Sequence, residues 1–238
     1  KNSFIRLFVL ADWHKPYTTM AFESEAIILK EFSKFFLNGS LYQGSKPVMW
    51  SPIEKTALAE AEIEYHDIDS TSIYVAFKVK NSSNKLLENT SVVIWTTTPW
   101  TIPGNRAIAF GDSIDYCLFK VQESKNNLIK DNKYLVAKSL LEEVCERCDI
   151  NKFDLVKEIK GEELNNTICS HPFSKIGFDY DVPLLKAAFV EDSEGSGFVH
   201  IAPCYGEDDY ILALDNNIVI KDIVKDDGCY RDNTPVFA

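Results

Sequence analysis

The spacing of apolar residues changes near residue 45 of this 238-residue chain. Before that point Ile28, Leu29, Phe32, Phe35 and Phe36 recur at helical intervals and predict an amphipathic helix over 23–37. Asn38-Gly39 is a suitable stop, because glycine accepts the left-handed conformation that ends a helix. Residues 1–45 are therefore expected to be an approach segment with its own packing surface, and 46–238 the main domain. Beyond it the period drops to two. Ala59, Ala61, Ile63 and Tyr65 alternate with Glu60, Glu62 and Glu64, which predicts a strand with one wet face. Further strands are expected over 72–79, 91–97, 106–110, 116–122, 133–137, 153–159, 197–202 and 218–224. Turn residues separate them: Asn81-Ser82-Ser83-Asn84, Gly111-Asp112, Asn126-Asn127 and Gly161. Helices interrupt over 139–149 and from 207 to about 216. Many short strands at close intervals predict a mainly β fold, a closed or near-closed barrel with peripheral helices.

Composition narrows the partners. The formal net charge is -11, and residues 186–232 hold four basic against eleven acidic side chains. Phosphate contacts need clustered Lys and Arg, so a free-standing nucleic-acid binder is disfavoured and any RNA contact should be narrow. No apolar run reaches membrane-spanning length and no secretory signal is read in the first residues. Six cysteines without a tight disulfide-type spacing point to a reduced, cytoplasmic setting. Cys145, Cys148, Cys169 and His171 contain a C-x-x-C, but the second pair lacks the usual zinc spacing. The expectation is a helix with one cysteine packed inward, and no metal and no cofactor.

Two stretches concentrate polar chemistry. In Trp95-Thr96-Thr97-Thr98-Pro99-Trp100, Thr96 and Thr98 share one strand face and Thr97 takes the other. Pro99 extends Thr98 and removes the next backbone donor, so the strand ends at a rim with hydroxyls displayed. Each hydroxyl donates one hydrogen bond and accepts two, which suits an ester, a ribose or a water. Threonine is also simply a good strand former. Asn105, after Gly104, reads equally well as an Asx turn. The second stretch runs Gly195-Ser196-Gly197-Phe198-Val199-His200-Ile201-Ala202-Pro203-Cys204-Tyr205-Gly206-Glu207-Asp208-Asp209-Tyr210. Glu207, Asp208 and Asp209 open a helix, where carboxylates suit the dipole and one is spare to grip an ammonium group. His200 reads as a general base, a steric gate or a satisfied core histidine. His14, His66 and His171 read as structural. There is no G-x-S-x-G elbow, no Walker loop and no dinucleotide fingerprint, so hydrolysis here would use positioned water.

Together these stretches resemble the editing domain of isoleucyl-tRNA synthetases. The resemblance extends over Leu10-Ala11-Asp12-Trp13, Pro16-Tyr17-Thr18-Thr19-Met20, Lys46-Pro47-Val48-Met49-Trp50, residues 56–65 and His171-Pro172-Phe173. The valine and leucine relatives resemble Thr-Thr-Arg-Pro where this chain has Thr98, which disfavours a valine-type editing domain. The resemblance implies hydrolysis of valyl-tRNA on the isoleucine tRNA, and leaves valyl-adenylate open as a second substrate. Isoleucine would be excluded by size. A missing methylene is worth only about 1–3 kcal/mol in a pocket, a figure for which this enzyme family is itself the standing example rather than one derived from this chain. It implies further that Asp209, beside Asp208, binds the amino group. Thr96, Thr97 and Thr98 hold the ester, the terminal ribose and the water. His200 stands against the larger side chain, Trp100 lines the pocket and Asn105 supports it. Tyr205 is a candidate to stack on the terminal adenine, as aromatics do on splayed RNA bases. Expected partners are the acceptor end carrying valine and the remainder of the synthetase; a monomer is expected. Ser51-Pro52-Ile53-Glu54 replaces the Cys-x-x-Cys of many relatives, so no zinc knuckle is expected there. No His-Ile-Gly-His or Lys-Met-Ser-Lys-Ser is present, so no synthetic site is expected. The other class of function is an acceptor-end binding module that is inert alone.

Overall fold

The computed structural model describes residues 1–235, and the chain divides into two compact units, the first Lys1–Ser45 and the second from Lys46 onward. In the first, α1 (Asn2–Arg6) and α2 (Phe22–Leu37) are the regular elements. Glu23 and Glu25 occupy the first turn of α2 and Lys34 the last, each favoured by the helix dipole. The helix stops at Asn38, and Gly39 takes φ +77°, the left-handed stop expected of it. Ile28, Leu29, Phe32, Phe35 and Phe36 stay exposed.

The second unit opens with a short hairpin, β1 (Trp50–Ser51) and β2 (Thr56–Ala57). Its turn is held by the Ser51 hydroxyl on the Glu54 carboxylate and by Lys55 N–H on the Ser51 carbonyl at 2.8 Å. These are the residues that stand in place of the relatives' Cys-x-x-Cys. The strand expected over 59–65 does not form. Glu62 reaches back to the N–H of Ala59 at 2.8 Å and winds Glu60–Glu62 into a single 3₁₀ turn. An alternating pattern marks a strand only where a neighbour takes its backbone groups, and here none does.

The remaining strands are β3 (Ile73–Asn81), β4 (Thr90–Thr96), β5 (Ala107–Phe110), β6 (Asp115–Ser124), β7 (Lys133–Ala137), β8 (Ile150–Lys160), β9 (Ile168–Ser170), β10 (Asp181–Lys186) and β11 (Phe198–Ile201). Six of them follow the order β11-β5-β10-β9-β3-β4, and β11 pairs again with β4. The ring is closed, which leaves these strands few free edges. The closing contact is short and parallel, Val199 against Trp95. Upstream of it the same edge of β4 pairs with β7, at Thr90, Ser91 and Val92. The sheet therefore forks along β4: β7, β6 and β8 leave as a flap while β11 takes over the barrel wall. Phe77, Ile94, Ile108, Phe110, Leu118, Leu135 and Ile201 fill the core.

Two strands escape the sequence pattern. β9 has only three residues, and β10 contains Pro183, which normally demotes a strand. Proline is tolerated because β10 changes partner beside it, from β9 at Asp181–Pro183 to β5 at Leu184–Lys186. The strand expected over 218–224 shrinks to one bridge, Val224 with Tyr230. There the Asp222 carboxylate takes the N–H of Val224 at 3.1 Å and the Arg231 guanidinium, which bends the chain. The helix expected over 139–149 is a 3₁₀ turn, Lys138–Leu140, followed by α3 (Leu141–Arg147). Cys145 faces the core with Leu141 and Val144, and Cys148 is half-buried at its end. Cys169 is buried in β9, and burial pushes the Cys145 and Cys169 thiols up to about 12. His171 is spent on structure: Nε2–H donates to the Ile102 carbonyl at 2.9 Å and Nδ1 accepts from Phe173 N–H at 3.1 Å.

The fork demands a glycine. Gly197 has φ +75°, and a β-carbon there would lie 2.3 Å from that of Ala137 on β7. Ala137 N–H donates to the Ser196 carbonyl at 2.8 Å, and the Tyr116 hydroxyl to the Gly197 carbonyl at 3.0 Å. Gly197→Ala is expected to lower the urea midpoint by about 3 kcal/mol of stability, through a strained φ and an overpacked contact together. An unchanged midpoint would mean that the fork is softer than its geometry.

Candidate functional site

Barrel closure sets the end of β4 beside β11. Thr96 is the last residue of β4 and is buried. Its Oγ1 accepts the Thr98 N–H at 3.1 Å and lies 3.2 Å from the Thr98 hydroxyl, so these two side chains do share a face. Thr97 and Thr98 are exposed. Pro99 then starts a 3₁₀ helix, Pro99–Gly104, with its missing N–H at a position that needs none. One turn on, Thr101 donates its hydroxyl to the Thr98 carbonyl at 2.8 Å.

His200 sits on β11, opposite Ile108 of β5, with 8% of its surface exposed. The Asn105 amide Nδ2 donates both to the Ala107 carbonyl at 2.8 Å and to His200 Nδ1 at 2.7 Å. The carbonyl fixes which end of the amide points there, and hence makes Nδ1 the acceptor. Nε2 then carries the proton and donates to Thr101 Oγ1 at 2.9 Å. The chain Asn105–His200–Thr101–Thr98 is consistent donor by donor and leaves neither ring nitrogen free. Burial, reinforced by His171, brings the His200 pKa down to about 4. Of the three readings open for His200, general base is the one this geometry opposes. Asn105 does not form the Asx turn: it is fully buried behind the histidine.

Asp209 lies in the first turn of α4 (Glu207–Asp215). One carboxylate oxygen, Oδ2, accepts the Ala202 N–H at 2.7 Å, and the side chain folds against Gly206. Burial raises its pKa above the ordinary 3.8; the Ala202 bond works against this and the Asp208 charge adds to it. Asp208 itself points to solvent.

These groups meet in one cavity of about 390 Å³. Thr96, Thr97, Thr98, His200, Tyr205 and Asp209 all line it. Trp100, Asn105 and Asp208 do not. Trp100 stands outside, half-exposed, with the Tyr205 ring edge-on at 5.1 Å. The Tyr205 hydroxyl is already engaged, donating to Asp222 at 3.1 Å and accepting from Ile223 N–H at 3.0 Å. Sequence reasoning passed over Thr101, although its spacing of three from Thr98 after a proline is that of one 3₁₀ turn. It also passed over Trp95 and the loop carrying Phe189, Glu191 and Glu194, which form the opposite wall. Three carboxylates and no lysine or arginine line the cavity, so it favours a cation. Among the described residues no three His, Cys, Asp or Glu side chains gather as a metal site would require. No helix among them is long and apolar enough to cross a membrane.

Comparison with known proteins agrees with the sequence motifs. The family model described as tRNA synthetases class I (I, L, M and V) matches residues 1–210, and the chain belongs to that family. Within it, the whole chain is similar to part of isoleucine–tRNA ligases. It is 48% identical over 237 residues to that of Pelagibacter ubique (strain HTCC1062) and 46% over 241 residues to that of Gluconobacter oxydans (strain 621H). It spans 26% and 25% of their lengths, about a quarter of the curated relatives it matches. Among solved structures, GlLeuRS-CP1 is similar at 17% identity and TM-score 0.47, covering 60% of each chain. The editing domain of the P. falciparum cytosolic leucyl-tRNA synthetase is similar at 19% and TM-score 0.43, covering 51% of this chain and 44% of that one.

The two buried histidines tie stability to pH. Unfolded, they bind protons at the ordinary 6.5; folded, burial holds both to about 4. Between those values the unfolded state binds more protons, so stability rises with pH across the window and is lost as pH falls through it. Each histidine is expected to contribute roughly 3 kcal/mol to that loss. Urea melts from neutral pH downward check the slope. Long-range ¹H–¹⁵N spectra should show both rings as neutral Nε2–H tautomers; an Nδ1–H form of His200 would break the chain of donors.

Proposed function

We propose that residues 46–238 are an editing domain that hydrolyses valyl-tRNA on the isoleucine tRNA, with 1–45 as the approach segment from the parent enzyme. What supports this best is the cavity itself. It sets one carboxylate with an unspent oxygen, a row of threonine hydroxyls and an immobile imidazole around a space free of cationic side chains. Asp209 Oδ1 receives the ammonium of the aminoacyl group, the charge match the acidic lining favours. Thr97 and Thr98 hold the ester end, the terminal ribose and a water. Water adds to the ester carbonyl, and the ribose oxygen leaves with a proton. Substrate hydroxyls and threonines carry that proton, because both His200 nitrogens are already committed. His200 instead walls the side-chain end. Held on two sides, it cannot swing away to admit a larger group. Tyr205, at the mouth, is the surface for the terminal adenine. Valyl-adenylate offers the same ammonium and carbonyl and is the second substrate to test. The partners in this reading are the charged acceptor end and the rest of the synthetase, in the cytoplasm, with the chain as a monomer.

The experiment is deacylation of valyl- and isoleucyl-tRNA, both on the isoleucine tRNA, by excess chain. Valine alone should be released. Asp209→Ala should slow its release roughly 100-fold, the scale of removing one partner from a buried charge pair. His200→Ala should bring isoleucyl-tRNA to within about tenfold of the valyl rate, since a size gate is worth no more than a methylene or so. In wild type the rate should rise with pH through the Asp209 pKa, above the usual aspartate range, because only the ionised carboxylate grips the ammonium. Asp209→Asn should lose that limb. One observation favours the runner-up, an acceptor-end module inert without the rest of the synthetase: the net charge of -11 leaves most of the tRNA affinity to the parent enzyme. Binding without release of valine above background would select it.

A further inference from the structure

A second cavity, of about 500 Å³, lies on the far side of the 3₁₀ helix, in the size range of small-molecule sites. Pro103, Pro183, Ile218, Val219 and Ile223 give it apolar walls. Its polar lining has the opposite character to that of the first cavity. Arg106, the residue after the buried Asn105, lines the second cavity. The Arg106 guanidinium is half-buried, 4.4 Å over the Tyr180 ring, and donates to the Asn105 carbonyl at 3.2 Å. No carboxylate pairs with it among the described residues, although the chain carries 36 acidic and 25 basic side chains. Lys221, which also lines the cavity, is likewise without an ion pair among them. The one lining carboxylate, Asp181, is taken by Lys80 at 2.5 Å. Asn217 and Asn233 also line the space, and neither side chain has a hydrogen-bond partner among the described residues.

We propose that this cavity binds a nucleoside phosphate, the phosphate on Arg106 and Lys221 and the nucleoside against the apolar walls. The guanidinium keeps most of its five donors unspent, in a planar fork that matches two oxygens of an oxyanion. Lys221 supplies a second positive charge in the same lining. The faces of Tyr180 and Phe178 are already occupied, by Arg106 and His171. The base is therefore covered by prolines and branched side chains rather than stacked on an aromatic. Each asparagine amide offers a donor and an acceptor together, the pairing that reads a base edge. This assignment stands apart from the hydrolytic reading and survives its failure. The same chemistry arrives either as a free nucleotide or as a nucleotide within an RNA strand.

The test is backbone-amide NMR of the full chain titrated with inorganic phosphate, with each 5′-nucleoside monophosphate and with a short single-stranded RNA. Shifts at Asn217, Ile218 and Thr234 are expected, at least tenfold tighter for a nucleotide form than for phosphate, roughly one further favourable contact. A mononucleotide that outcompetes the RNA assigns a free nucleotide; the reverse assigns a strand. Lys221→Gln, on an exposed side chain, should weaken binding about fivefold and flatten its salt dependence. Arg106→Lys, which keeps charge but loses the fork, should weaken it about tenfold. The proposal is overturned by silence up to about 10 mM ligand, a range that still detects weak binding. It is equally overturned by inorganic phosphate binding as tightly as nucleotides, by affinities unchanged in both variants, or by shifts confined to Thr96–Thr98 and His200.

Discussion

Closure of the barrel through Val199 and Trp95 is the constraint on which the remaining features rest. The contact is short because β4 has already given most of that edge to β7. At the point where one neighbour leaves and the other arrives, no side chain fits, and Gly197 stands there. The same geometry brings the tail of β4 against β11. Three hydroxyls at a strand end become neighbours of a histidine about a hundred residues away in sequence. Without closure the threonines would be a frayed rim and His200 an ordinary inward residue.

Polar groups around the first cavity divide into those that are spent and those that are held ready. Asn105, His200 and Thr101 consume one another's donors and acceptors and end on the Thr98 carbonyl. Both ring nitrogens are satisfied, which holds the imidazole in place, while the buried Asn105 Oδ1 is left without a hydrogen-bond partner among the described residues. Asp209 is the contrast. It spends one oxygen on Ala202 to hold its place and keeps the other. Its burial makes an unpaired charge costly, and that cost is relieved by an incoming cation. The chain thus separates groups whose bonds are spent from one that keeps an acceptor open. It also separates charge: carboxylates face one cavity, while Arg106 and Lys221 face the other.

Legibility in the sequence followed the source of each element's stability. The strand over 133–137 and the helices over 23–37 and 207–216 were readable to within a residue, because their own side chains carry the pattern. Elements defined by partners were not. Residues 59–65 alternate perfectly and have no neighbour, whereas β10 contains a proline and has two. Of the residues singled out in the sequence, the threonines, Tyr205, Asp209 and His200 line one cavity, and all stand in compact motifs. Trp100 and Asp208 share those motifs but point elsewhere, a matter of one residue of phase that spacing does not resolve. Asn105 was ambiguous for a physical reason: a turn-forming amide and a buried orienting amide look alike until the partner across the barrel is known.

The doubly bonded imidazole has one further consequence. A gate built from a histidine would ordinarily acquire charge, and with it a hydration shell, as the surroundings acidify. Here burial holds the ring neutral down to about 4. Its effective size is therefore constant from neutral pH down to about 4. In the proposed reading Asp209 sets the speed of the chemistry and His200 the choice of molecule, so a drift in acidity changes how fast errors are cleared without changing which molecules count as errors.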